Sequence, residues 1–129
     1  MPDMPRSPYQ YAIVRVVPRV DRGECLNVGV ILLCRPRRFI GARTALDVAR
    51  LAAFAPELSA ASVQPHLVAI EAIAAGDAAG GPSARLGIAE RFHWLVSPAS
   101  TIIQTSPVHT GLTDGPEAEL ERLVETLVR

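Results

Sequence analysis

Residues 9–17, YQYAIVRVV, place Tyr9, Tyr11, Ile13, Arg15 and Val17 on one side of an extended chain and Ala12, Val14 and Val16 on the other. Their β-branched and aromatic side chains predict a strand. PRVDRG follows, where Pro18 has no N–H for a ladder and Gly23 is free to take positive φ, so a turn is expected. Residues 24–34 are apolar at both alternating sets of positions, which predicts a central strand, and Gly29 inside it predicts a bulge or a close backbone approach. Residues 37–44 predict a shorter, more polar strand at a sheet edge, where Pro36 and the neighbouring arginines discourage pairing with another chain.

The period then changes. ALDVARLAAFA and SVQPHLVAIEAIAAG are helical in pattern, with Pro65 expected in a first turn and Gly76 at a C-terminal cap. GDAAGGPS is a break, after which Ser83 is expected to cap a helix with Ala84, Ile88, Phe92 and Leu95 along one side. Residues 100–108 return to strand chemistry and HTGLTDG reads as a turn-rich loop. PEAELERLVETLVR carries Leu120, Leu123, Val124, Leu127 and Val128 as a helical stripe, with Pro116 in the first turn and Glu117 and Glu119 at the positive end of the dipole.

Three consecutive strands joined by short connections, then helices, a strand and a helix, give the α+β class. The expectation is one domain over residues 1–129 with 1–8 as a tail. Its small antiparallel sheet uses 9–17, 24–34, 37–44 and 100–108, with helices packed mainly on one face.

Composition narrows the class. With 49% hydrophobic and 20% charged residues, the chain has the balance of a globular protein and the length for a real core. No apolar run approaches the roughly eighteen residues of a membrane span, and no signal-type segment follows the N-terminus, so a cytoplasmic protein without a membrane partner is expected. Cys25 and Cys34 fall on one predicted strand, roughly 30 Å apart on opposite faces, beyond the ~7 Å at which a bridge forms. Both are expected as free thiols. CxxC pairs and His-rich tracts are missing, so no metal and no cofactor are expected.

Net charge is zero, yet residues 1–50 hold nine arginines against four acids, a net of +5, and residues 51–129 balance them at −5. All 13 basic residues are arginine. The absence of lysine fits GC-rich coding, and the asymmetry is compatible with anion recognition. A neutral domain lacks the broad basic footprint of a nucleic-acid binder, and no strong nucleic-acid binding is expected.

Two polar clusters remain. If Val17 opposes Cys25, Arg15 lies opposite Asn27, about 5 Å away at Cβ, within reach for its guanidinium to donate to the amide. Arg22 and Glu24 flank Gly23 and can brace the turn as an ion pair. This is either a fixed network that sets hairpin register, the commoner outcome, or a pocket for an anionic ligand or partner. The second cluster holds Ser100, Thr101, Gln104, Thr105, Ser106, His109 and Thr110. No GxSxG elbow supports a catalytic serine, whereas His109, in a predicted loop, is a candidate general base or phosphate contact. Trp94 alternates with core positions and is expected in the core or at an interface. Phosphate loops and HExxH are missing, and carboxylates are scarce in the N-terminal half.

Tyr11, Arg15, Pro18, Arg22-Gly23-Glu24, Asn27 and Gly29-Val30, then Arg91-Phe92, Trp94-Leu95, Ser100, Ser106-Pro107 and His109-Thr110-Gly111, together resemble the bacterial family catalogued as domain of unknown function 3037. The C-terminal helix ending in Leu127-Val128 fits too, so the resemblance covers nearly the whole chain. It implies a bacterial protein with no assigned activity or catalytic residue. Through members encoded beside kinases resembling the HipA toxin type, it also implies an accessory or regulatory role. The expected function is a non-catalytic accessory domain that binds a protein partner, such as a HipA-like kinase, or an anionic ligand. Arg15, Arg22, Glu24, Asn27 and His109 are the candidate binding residues, and a homodimer is compatible with them. The alternative is an enzyme acting on a phosphate-containing substrate through the same side chains. The discriminating observation is whether they converge on a concave pocket or are consumed by mutual hydrogen bonds.

Overall fold

In the computed structural model, which describes residues 5–98 and 101–129, the three N-terminal strands form where the alternation places them. They are β1 (Ser7–Val16), β2 (Leu26–Cys34) and β3 (Phe39–Thr44), followed later by β4 (Ile103–Thr105) and β5 (His109–Thr113). Every pairing is antiparallel, in the order β3-β2-β1-β4, and β5 joins β1 beside β4. The α+β class and the antiparallel sheet are those expected from the sequence. Apolar on both sides, β2 lies between β1 and β3, and β3 takes an edge. Strand β1 begins at Ser7, two residues inside the expected tail, because Ser7 pairs with Thr113 and is buried.

The helices are α1 (Val48–Phe54), α2 (Ala60–Ala75), α3 (Ile88–Val96) and α4 (Pro116–Leu127). Three of the four share a face. Leu51, Val63, Leu67 and Phe92 from α1, α2 and α3 pack on Val14, Val16, Ile31 and Leu33 of the sheet. Helix α4 lies on the opposite face, where Leu120, Leu123 and Val124 cover Val30, Leu32 and Cys34. Asp47 caps α1 by accepting from the Arg50 N–H, and Gly76 closes α2 in the left-handed region at φ 72°.

Four local expectations are corrected. Helix α2 starts a turn earlier than Pro65 suggested, so Pro65 sits inside it, where its missing N–H leaves the Ala61 carbonyl without a helical partner. Ser83 caps no α-helix; it belongs to a 3-10 turn, Pro82–Arg85, and α3 begins after Gly87. Arg35–Arg37 likewise form a 3-10 turn rather than entering β3. Finally, the expected loop at HTGLTDG contains β5, while the strand expected over 100–108 shortens to Ile103–Thr105 among the described residues. Gly111 lies directly opposite Tyr9, whose ring fills the space over it: a Cβ there would meet Tyr9 Cζ at 2.7 Å. An aromatic laid over a strand glycine compensates for the missing side chain.

A bulge interrupts β1–β2. Val14 pairs with Gly29 and Arg15 with Asn27, leaving Val28 as the extra residue. Val28 thereby joins the core beneath α1, α2 and α3. Gly29 is also a close approach, since a Cβ would meet the Arg43 carbonyl oxygen at 2.8 Å. Both alternatives expected at Gly29 thus occur together. Cys25 is exposed and Cys34 buried, both as free thiols. Among the described residues, no helix is long and apolar enough to cross a membrane.

Candidate functional site

Arg15 and Asn27 oppose each other across the hairpin, in the register expected. Their side chains do different things. The Asn27 amide donates at 3.0 Å to the Leu127 carbonyl at the end of α4, a hundred positions away in the chain. Arg50 donates at 2.8 Å to the Val128 carbonyl beside it. Carbonyls at a helix C-terminus lack helical partners, and these two side chains supply them. Arg15 Nε is buried and has no hydrogen-bond partner among the described residues.

Arg22 and Glu24 form the expected ion pair, 2.5 Å between Nε and Oε1, and both are exposed. They line a polar depression of about 310 Å³ with Pro18, Arg19, Phe54 and Glu57, beside α1. Arg15 and Asn27 look toward α4, on the other side of the sheet. His109 is on β5 rather than in a loop, opposite Tyr11, and their ring centroids are 5.2 Å apart. The five candidates are therefore distributed over three places; of the five main depressions among the described residues, one is lined by two of them, Arg22 and Glu24, and the other four by none.

The hydroxyl cluster is occupied internally. Ser106 is buried; its Oγ accepts from the Ile13 N–H at 2.8 Å and donates to the Pro107 carbonyl at 2.9 Å. This bridges the ladder where β4 has ended and β5 has not begun. Thr101 Oγ1 donates to the Ile103 carbonyl and Thr105 Oγ1 to the Val96 carbonyl. Ser100 lies outside the described residues.

The stretch RFHWL divides by role. Arg91 donates to the Ala74 carbonyl at 3.1 Å and so closes the end of α2. Phe92 is fully buried and Leu95 packs against the same core. Trp94 is 59% exposed, which removes the core reading of this residue. It stands over a groove of about 420 Å³ between α2, α3 and β4, with His66, Ile70, Ile73, Ile103 and Gln104 among its lining. Sequence reasoning missed this groove. The signal available was that Trp94 falls two positions from Phe92, which a helix turns away from the same core.

On the α4 face, Tyr9 is buried beside Tyr11, ring centroids 6.0 Å apart. Burial, and then the charge and hydrogen bond of Glu119, hold its phenol above the ordinary range; Arg122, bonded to Glu119, works in the opposite sense.

Nothing among curated proteins and nothing among solved structures matches this chain. One family model does, over residues 11–128, described as a protein of unknown function. The match takes in the hairpin, RFHWL, β5 and α4, and the chain belongs to that family, DUF3037.

Proposed function

We propose that this chain is a non-catalytic accessory domain that binds a protein partner at the groove beneath Trp94. The observation that carries the reading is the exposure of Trp94, 59%, beside an apolar depression of about 420 Å³. Tryptophan combines a large apolar surface with one N–H donor and is enriched where interfaces concentrate their binding energy. His66 and Gln104 at the groove give the polar contacts that fix the orientation of a ligand. The distribution of Arg15, Arg22, Glu24, Asn27 and His109 over three places supports partner binding over a phosphate-directed enzyme, which needs them around one cavity.

The kinase-adjacent context implied by the family resemblance makes a HipA-like kinase from the same genome the first partner to test, and our reading has both proteins working in the bacterial cytoplasm. Trp94 is the chain's only tryptophan, so its own fluorescence reports on the groove. Adding the kinase should shift that emission to the blue as water leaves the indole. Trp94→Ala should weaken binding by about thirtyfold or more, as loss of an interface hot spot does. Its melting temperature should change little, because exposed side chains add little to stability. Full affinity in the folded Trp94→Ala variant would overturn the proposal.

A further inference from the structure

The two ends of β1 are bordered differently. In an antiparallel ladder, the N–H and C=O of one residue point to the same side and successive residues alternate. The Ile13 N–H and C=O bond to Ser106, and the Val17 N–H bonds to the Ile102 carbonyl, so the odd-numbered residues of β1 turn toward β4 and β5. Opposite Ser7, Tyr9 and Tyr11 stand Thr113, Gly111 and His109, which therefore direct their backbone groups back to β1. Thr110 and Leu112 direct theirs outward, to an edge that no strand among the described residues covers.

This edge carries one exposed apolar side chain and adjoins an apolar depression and cationic surface. Leu112 is 60% exposed. On the side of the sheet that Leu112 and Pro8 share, a depression of about 340 Å³ is floored by Pro8, Leu33 and Pro36 and bounded by Thr110 and Arg35. Arg37 is tied down, donating to Ser7 Oγ and to the Asp114 and Pro5 carbonyls. Arg35 and Arg38 are exposed and have no ion-pair partner among the described residues, the nearby Asp114 included.

We propose that the outer edge of β5 is a second docking site, which takes an extended, glutamate-bearing segment of a protein partner as an added strand. The Thr110 and Leu112 amides and carbonyls supply the main-chain bonds of β-augmentation. A glutamate laid over Thr110 rests its aliphatic stem in the depression and its carboxylate on Arg35, with Arg38 adding to the local field. Charge complementarity selects an acidic segment over a second copy of this chain, whose own β5 is accompanied by the same unpaired arginines.

The probe is a fluorescein-labelled, end-blocked hexapeptide alternating valine and glutamate, compared with its valine–lysine counterpart on the full chain. The glutamate probe should bind at least tenfold tighter than the lysine probe, and Arg35→Glu should invert that order. Leu112→Pro removes one outward N–H while sparing the bonds to β1, and should weaken the glutamate probe at least tenfold. Should Leu112→Pro fail to fold, a probe N-methylated at alternate residues applies the same test from the ligand's side, again with a tenfold loss expected. Trp94→Ala should leave the probe's affinity unchanged. Equal affinity for the two probes, or no binding at millimolar concentration, would overturn the proposal. A dimer by sedimentation that Leu112→Pro dissociates would overturn it too, by assigning the edge to a second copy.

Discussion

The two faces of the sheet are closed by different means. On one, three helices interlock Leu51, Val63, Leu67 and Phe92 with a continuous apolar surface that includes the bulged Val28. On the other, α4 covers Val30, Leu32 and Cys34 alone. Its position is fixed by polar contacts: Asn27 and Arg50 at its last carbonyls, and Arg43 on β3 against Glu121 at 2.8 Å. The first face is held by volume and the second by placement. Helix α4 buries Leu120, Leu123 and Val124, with Val128 just past its end, against the sheet without a neighbouring helix to interlock with, and directional bonds at its end add to that burial in setting its direction.

The contrast breaks first at Phe92. Phe92→Ala should destabilise the fold by about 3–5 kcal/mol, the usual cost of removing a fully buried aromatic ring. Chemical denaturation measures it, and a loss near 1 kcal/mol would mean that the three-helix face is not the main store of stability. Asn27→Ala should be milder, about 0.5–1.5 kcal/mol for one hydrogen bond. Its mark is locality: hydrogen exchange should speed up in the last turn of α4 while α2 and α3 keep their protection. Uniform acceleration would erase the distinction between the faces.

The smallest effect is alkaline. Because the folded state raises the Tyr9 pKa, it favours the neutral phenol. That stabilisation is complete below the unfolded value of about 10 and is lost as pH rises through the folded value. Tyr9→Phe should flatten this part of the stability–pH curve. An unchanged slope would remove Tyr9 from the account of the α4 face.

Much of this was legible in the sequence, and the gaps have physical causes. Alternation located the first three strands, and the apolar stripe located α4. The stripe does not say which side of the sheet it will meet, so the expectation that helices gather mainly on one face leaves α4 unplaced. The two-sided apolarity of residues 24–34 was the available sign that both faces need cover. β5 was hidden by glycine and threonine, which read as turn chemistry until the Tyr9 ring over Gly111 is known. In the hairpin, the Arg15–Asn27 register and the Arg22–Glu24 pair were readable because they are local. The task of Asn27 was not, because its acceptor is on Leu127. Arg91 looked like half of a motif, and only the packing of α3 on α2 makes it the cap of Ala74.

The order of the strands also has a kinetic consequence. β1 is made first, yet its second neighbours, β4 and β5, come from residues 103–113. At about 5–20 residues per second, a nascent chain holds β1 and β2 for several seconds before that edge can be covered. The α4 face of β2 stays bare longer still. During that interval the chain presents an unpaired strand and an apolar surface, the features that recruit chaperones or other copies. Long-range closure of this kind also slows folding, because loop entropy is lost before the distant contacts form. Shortened forms that stop before residue 103 should carry this exposure permanently.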